Sequence, residues 1–129
     1  MSYFQGRDNK KPTGGRLRAS REKKRFELGS PPMETTMAPD VDRKKITRGY
    51  GGGIKVRIDK ARYINVTDLK TNVTKKAKLL KVKNNPSNVD YARRGVITKG
   101  ALVETELGDA KITSRPGQES TLNAVLLSK

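Results

Sequence analysis

The chain has 129 residues, enough for one small domain and a tail, with 29 Lys and Arg against 13 Asp and Glu and a formal net charge of +16. Such an excess of one sign repels itself in a compact state and persists where a polyanionic partner neutralises it. Cys and His are both absent, which removes disulfides, thiolate chemistry and His-based acid–base or triad catalysis and leaves only carboxylates to hold a metal.

Residues 1–32 hold seven apolar residues, interrupted by Gly14-Gly15 and Pro31-Pro32, among nine basic and three acidic side chains, a net of +6. A segment this polar cannot bury enough apolar surface to offset an ordering cost of about 1–2 kcal/mol per residue. It is predicted to be a disordered basic arm when free, with a short helix around 20–27 forming once a polyanion screens its charges. Residues 33–129 are predicted to be the folded domain.

From Met33 onward the pattern turns to period two. Ile54, Val56 and Ile58 alternate with Lys55, Arg57 and Asp59, as in a half-buried strand. Ile64 and Val66 continue the pattern after a break near 60–62. Lys76-Ala77-Lys78-Leu79 alternates in one phase and Leu80-Lys81-Val82-Lys83 in the other, so a β-bulge is expected at Leu79/Leu80. Residues 86–94 read as one short helix, with Pro86 in its first turn and Gly95 past its end. Segments 101–107, 110–114 and 122–127 read as further strands, the last apolar on both faces and therefore central. Turn signals at 49–53, 68–72, 108–109 and 115–117 separate them, and many short strands with such punctuation favour a small barrel or sandwich. The fold class is mainly β.

Charge is unevenly distributed. Residues 43–62 carry eight basic side chains against Asp59, a net of +7, whereas 101–129 carry three against four, a net of −1. No apolar run approaches the roughly 18 residues of a spanning helix, and no basic amphipathic helix stands out. Nucleic acid, not a membrane, is the expected partner. RNA is favoured over DNA because no helix–turn–helix, zinc-finger or basic-zipper pattern occurs. The cations are also spread over arm, strands and loops, which suits an irregular RNA surface better than a single groove. Aromatics are few, so base stacking on a sheet is expected to be weak, with Tyr50 its best candidate.

The RNA-binding residues expected in the arm are Arg7, Lys10, Lys11, Arg16, Arg18, Arg21, Lys23, Lys24 and Arg25, with Thr13, Gly14 and Gly15 letting the main chain approach a phosphate. In the domain they are Arg43, Lys44, Lys45, Arg48, Lys55 and Arg57, which form one outward patch if their two segments pair across the 49–53 turn. The competing reading is that Lys55 and Arg57 only protect an edge strand from aggregation. Enzyme readings are weak. Glu104, Glu106 and Asp109 offer a nominal carboxylate set, better explained as an exposed strand face. The glycines at 49 and 51–53 match neither nucleotide-phosphate pattern. No catalytic residue, metal site, cofactor or small-molecule substrate is expected. The N-terminus lacks a signal-peptide pattern, so a cytoplasmic setting is expected.

Two stretches carry a resemblance. Lys10-Lys11-Pro12-Thr13-Gly14-Gly15-Arg16-Leu17-Arg18, followed by Lys23-Lys24-Arg25-Phe26-Glu27-Leu28-Gly29, resembles the N-terminal signature of the S-eight-e ribosomal proteins of archaea and eukaryotes. Residues 97–101, 104–108, 113–118 and 123–126 are similar to the archaeal branch in particular. The resemblance covers nearly the whole chain and implies a β-barrel core and a basic arm threaded into small-subunit rRNA. It also implies neighbouring ribosomal proteins as partners and no enzymatic activity. The middle loop, Arg48-Gly49-Tyr50-Gly51-Gly52-Gly53-Ile54-Lys55, departs from the family's Arg-Gly-Gly-Asn-Lys by an insertion and a lost Asn. A permanent small-subunit protein is the leading expectation. A transient ribosome-assembly factor that binds pre-rRNA is the alternative, expected to carry a longer N-terminal region.

Overall fold

The computed structural model describes residues 3–4, 6–22 and 24–127. The chain divides into two units, 1–32 and 33–129. In the second unit the alternation of Ile64 and Val66 becomes strand β6 (Tyr63–Asp68), which pairs antiparallel with the long β7 (Val73–Asn84). Strands β8 (Leu102–Thr105), β9 (Gly108–Ile112) and β10 (Asn123–Leu126) follow. Together they close a five-stranded barrel in the order β10-β6-β7-β8-β9, antiparallel except where β10 runs parallel to β6. Closure leaves none of these five strands with a free edge, and β10, flanked on both sides, is central as its apolar pattern predicted.

Inward positions from all five strands fill the barrel: Ile64 and Val66, Ala77, Leu79 and Val82, Val103, Ala110 and Ile112, and Ala124, with Ile97, Ala101 and Leu122 packed among them. Burying one such Val, Leu or Ile side chain fully contributes about 1.5–3 kcal/mol. The bulge lies where the pattern slips. Leu79 pairs with Thr105 and Lys81 with Glu104, so Leu80 has no partner of its own. Leu80 is 51% exposed while Leu79 and Val82 are buried. The extra residue restores the inward phase for the second half of β7.

Helix α1 (Val89–Arg93) is shorter than expected and starts later. Its N-cap is Asn88, whose side chain accepts the Asp90 N–H at 2.9 Å. Pro86 therefore lies in the turn before the cap, not in the first helical turn. Gly95 does end the helix, at φ +67°, with Gly95 N–H donating to Ala92 O and Val96 N–H to Tyr91 O, the two bonds of a Schellman motif. A second correction concerns the turn between β8 and β9, which is Glu106-Leu107 and not 108–109. Gly108 opens β9 opposite Thr105 at φ +126°, a conformation open to glycine.

Before the barrel come β3 (Thr36–Met37), β4 (Arg43–Arg48) and β5 (Ile54–Ala61), in the order β3-β5-β4. The C-terminal half of β5 is anchored. Ile58 is buried, its carbonyl accepts the Thr35 hydroxyl at 2.7 Å, and its N–H donates to Pro116 O at 3.1 Å. At the corner into β6 the Asp42 carboxylate accepts the N–H groups of Arg62 (2.6 Å) and Tyr63 (3.2 Å). β3 reaches only Lys60 and Ala61, so the outer half of the β4–β5 hairpin is a two-stranded ribbon.

In the first unit, β1 (Tyr3–Phe4) pairs antiparallel with β2 (Leu28–Gly29), and Lys10 bridges Arg16 across a tight loop. Around the expected helix at 20–27 there is one 3-10 turn, Arg25–Glu27. None of the residues described within 6–32 is buried.

Candidate nucleic-acid interface

The hairpin of β4 and β5 gathers six of the expected site residues. Lys45 faces Arg57 and Thr47 faces Lys55, while Lys44 faces Ile58, Ile46 faces Val56 and Arg48 faces Ile54. Directly opposed residues share a face and faces alternate along a strand. One face therefore carries Lys45, Thr47, Lys55 and Arg57. Arg43 joins it past the irregularity at Arg43/Lys44, with its guanidinium 3.3 Å from the Asp59 carboxylate. Lys44 and Arg48 do not join that patch. Register puts them on the opposite face, beside Ile46 and Ile54. At the tip, Gly49 N–H donates to Gly53 O at 2.6 Å, and Gly51 and Gly52 take φ values of +73° and +84°. Two successive left-handed residues suit glycine there.

The ion pairs of this unit lie mostly outside the hairpin. Around the barrel, Lys78 meets Glu106 at 3.4 Å and Lys83 meets Asp109 at 2.6 Å. Arg62 meets Asp40, and Arg93 and Arg94 meet Asp90 and Glu34. Asp109 raises the Lys83 ammonium above its ordinary value, and Glu34 does the same for Arg94. Among the described residues, no carboxylate pairs with Lys44, Lys45, Arg48, Lys55 or Arg57. Five cations on one short ribbon thus stay uncompensated, the arrangement a polyanion neutralises.

In the arm, Arg7, Lys10, Lys11, Thr13, Gly14, Gly15, Arg16, Arg18, Lys24 and Arg25 are all exposed. Lys23 and the Tyr50 side chain lie outside the described residues. Gly14 N–H donates to Lys11 O at 2.9 Å and Lys11 N–H to Gly15 O at 2.8 Å, with Gly14 at φ +83°. Arg7, Asn9, Arg18, Ser20 and Arg21 line a concavity of about 360 Å³. Arg21 differs from its neighbours. Its guanidinium forks onto the Glu27 carboxylate at 2.5 and 3.0 Å and lies 5.9 Å from the Phe26 ring centre. The Arg21 fork, then the Lys24 N–H at 3.0 Å, hold the Glu27 carboxyl below its ordinary range, and Glu27 raises Arg21 in turn.

The lysine row of β7 was not among the expected site residues. Lys76 sits 4.4 Å over the Tyr63 ring, and Lys78 and Lys83 hold acids of the C-terminal strands. The −1 charge of 101–129 is thereby partly compensated from another strand. Glu106 and Asp109 are each engaged by a lysine, and among the described residues no three acidic side chains cluster to hold a metal ion. Among the described residues, no helix is long and apolar enough to cross a membrane.

Residues 4–127 match the family model described as Ribosomal protein S8e. The chain belongs to the S8e family. It is 50% identical over its whole length to the small ribosomal subunit protein eS8 of Sulfurisphaera tokodaii, also covered in full. It is 50% identical to that of Sulfolobus acidocaldarius over 98% of both chains, and 49% identical to that of Methanospirillum hungatei over 96% of this chain and 98% of the relative. As an S8e member it is a structural ribosomal protein and not an enzyme. The loop expected from the resemblance to depart from the family pattern is the tip of this basic hairpin.

Proposed function

We propose that this chain is a structural constituent of the small ribosomal subunit that binds rRNA through its basic arm and through the hairpin face of Arg43, Lys45, Lys55 and Arg57. The end-to-end match to relatives named small ribosomal subunit proteins carries this reading. The uncompensated hairpin cations support the rRNA contact, because each neutralised phosphate releases counterions. The arm, residues 1–32, is disordered when free and orders against rRNA, while 33–129 fold as the β-barrel domain. Neighbouring ribosomal proteins abut the barrel, and the setting is the cytoplasmic ribosome. Sucrose-gradient sedimentation of cell extract tests the assignment. The chain should travel with mature small subunits through repeated high-salt washing; confinement to particles that contain unprocessed pre-rRNA would instead identify a transient assembly factor.

A further inference from the structure

The opposite face of the hairpin is unusual for water. Ile46 and Ile54 are each 69% exposed, with half-buried Val56 beside them, whereas Ile58 on the same row is buried. A two-stranded ribbon showing aliphatic side chains to solvent is marginally stable at best in isolation. An exposed apolar strip of this kind marks a contact surface. Its surroundings select the occupant. Lys44 and Arg48 flank the isoleucines on this face, Lys45, Lys55 and Arg57 cover the other, and none of the five is paired with a carboxylate among the described residues. A second copy of this chain would bring the same positive field and be repelled. RNA offers both chemistries at once, phosphates for the cations and ribose or unstacked base surfaces for aliphatic side chains.

We propose that the outer half of the hairpin is clasped by rRNA on both faces, with Ile46 and Ile54 packed against ribose or base surfaces and Lys44 and Arg48 on the adjoining phosphates. This rests on the rRNA-binding reading above and extends it to the face that reading leaves open. The hairpin then acts as a finger within the RNA, and Lys44 and Arg48 belong to its second side.

Binding of the full chain to deproteinised small-subunit rRNA, measured across a salt series, tests it. Threonine keeps β-branching and strand propensity, so Ile46→Thr with Ile54→Thr leaves the ribbon intact, checked by an unchanged melting temperature. This pair should weaken binding about tenfold to a hundredfold at every salt concentration, with no change in salt slope. Lys44→Gln with Arg48→Gln should reduce the slope by about 1.4 to 1.8. Lys45→Gln, Lys55→Gln and Arg57→Gln together probe the first face. Loss from that triple, with both opposite-face variants at wild-type affinity and slope, would overturn the clasp and assign Ile46 and Ile54 to a protein neighbour, leaving the proposed function standing. Wild-type binding by all three variants would remove the hairpin from the rRNA interface altogether and overturn both.

Discussion

Replacing one acidic residue of the arm should strengthen RNA binding by a stated amount. Glu27 holds Arg21 in a two-point fork, so among the described arm residues Arg21 is the cation whose carboxylate partner is already in place. In Glu27→Gln the guanidinium is released and one further phosphate contact becomes available. The salt slope should steepen by about 0.7 to 0.9, equivalent to roughly fivefold to eightfold tighter binding at 0.1 M salt. Glu22→Gln makes the same change in net charge next door but breaks no fork, since Glu22 meets Arg21 through its main-chain oxygen at 3.4 Å. Its effect should stay below about twofold at that salt, where exposed charges are screened beyond about 10 Å. Acid should mimic the variant. The Glu27 carboxyl titrates below its ordinary 4.5 because the charged form is bonded, so the fork is complete at neutral pH and is lost as pH falls through that lowered value. Filter binding across a salt series, with a 13C titration of the Glu27 carboxyl, reads both effects. Equal gains from Glu22→Gln and Glu27→Gln would refute the account, because Arg21 would then reach phosphate with the fork intact.

Further outcomes follow from the same geometry. Charge reversal by Lys55→Glu with Arg57→Glu should cost about thirtyfold or more in rRNA affinity at 0.1 M salt. Reversal at Lys111, exposed on β9, should stay within about threefold, with melting temperatures shifted by no more than about 2–4 °C in either case; equal losses would remove the orientation of the barrel toward RNA. Asn85 is buried, donates to Val96 O at 3.0 Å and accepts from Ser87 N–H at 3.1 Å and the Thr98 hydroxyl at 3.0 Å. Asn85→Ala strands the buried Val96 carbonyl and should destabilise the domain by about 2–4 kcal/mol in urea unfolding; a loss under about 1 kcal/mol would mean water replaces the amide. Amide hydrogen exchange on the free chain should find residues 7–25 unprotected and β6–β10 strongly protected; slow exchange within 7–25 without RNA would contradict a disordered arm.

The barrel strands were legible because their inward residues repeat at period two, and the bulge because Leu79 and Leu80 interrupt that period by one residue. Gly95 marked the end of the helix, whereas its start at the Asn88 cap was missed and Pro86 misled, because proline suits the turn before a cap as well as a first helical turn. β3 is only two residues long and exists through parallel pairing with Lys60 and Ala61, so no local pattern announces it. The turn at Glu106-Leu107 has no glycine within it. The glycine that permits it comes one residue later, which drew the expected turn forward.

The composition of the candidate basic face was legible, its arrangement only partly. Alternation shows which side chains of β5 share a face, but the register of β4 against β5 decides which of its cations join them, and that depends on the tip geometry of Gly49–Gly53. Whether an apolar row is covered depends on distant elements. Thr35 and Pro116 arrive over Ile58, and nothing comparable reaches Ile54, although the two look alike in sequence. The pairing of Lys78 with Glu106 and Lys83 with Asp109 likewise joins residues 28 and 26 positions apart. Exposed pairs of this kind add little to stability. Their larger consequence is for recognition. Lys78 and Lys83 of β7 meet Glu106 of the β8–β9 turn and Asp109 of β9, while Lys44, Lys45, Arg48, Lys55 and Arg57 of the hairpin meet no carboxylate among the described residues. On the proposed reading, a phosphate backbone meets these hairpin cations from both sides of a two-stranded ribbon.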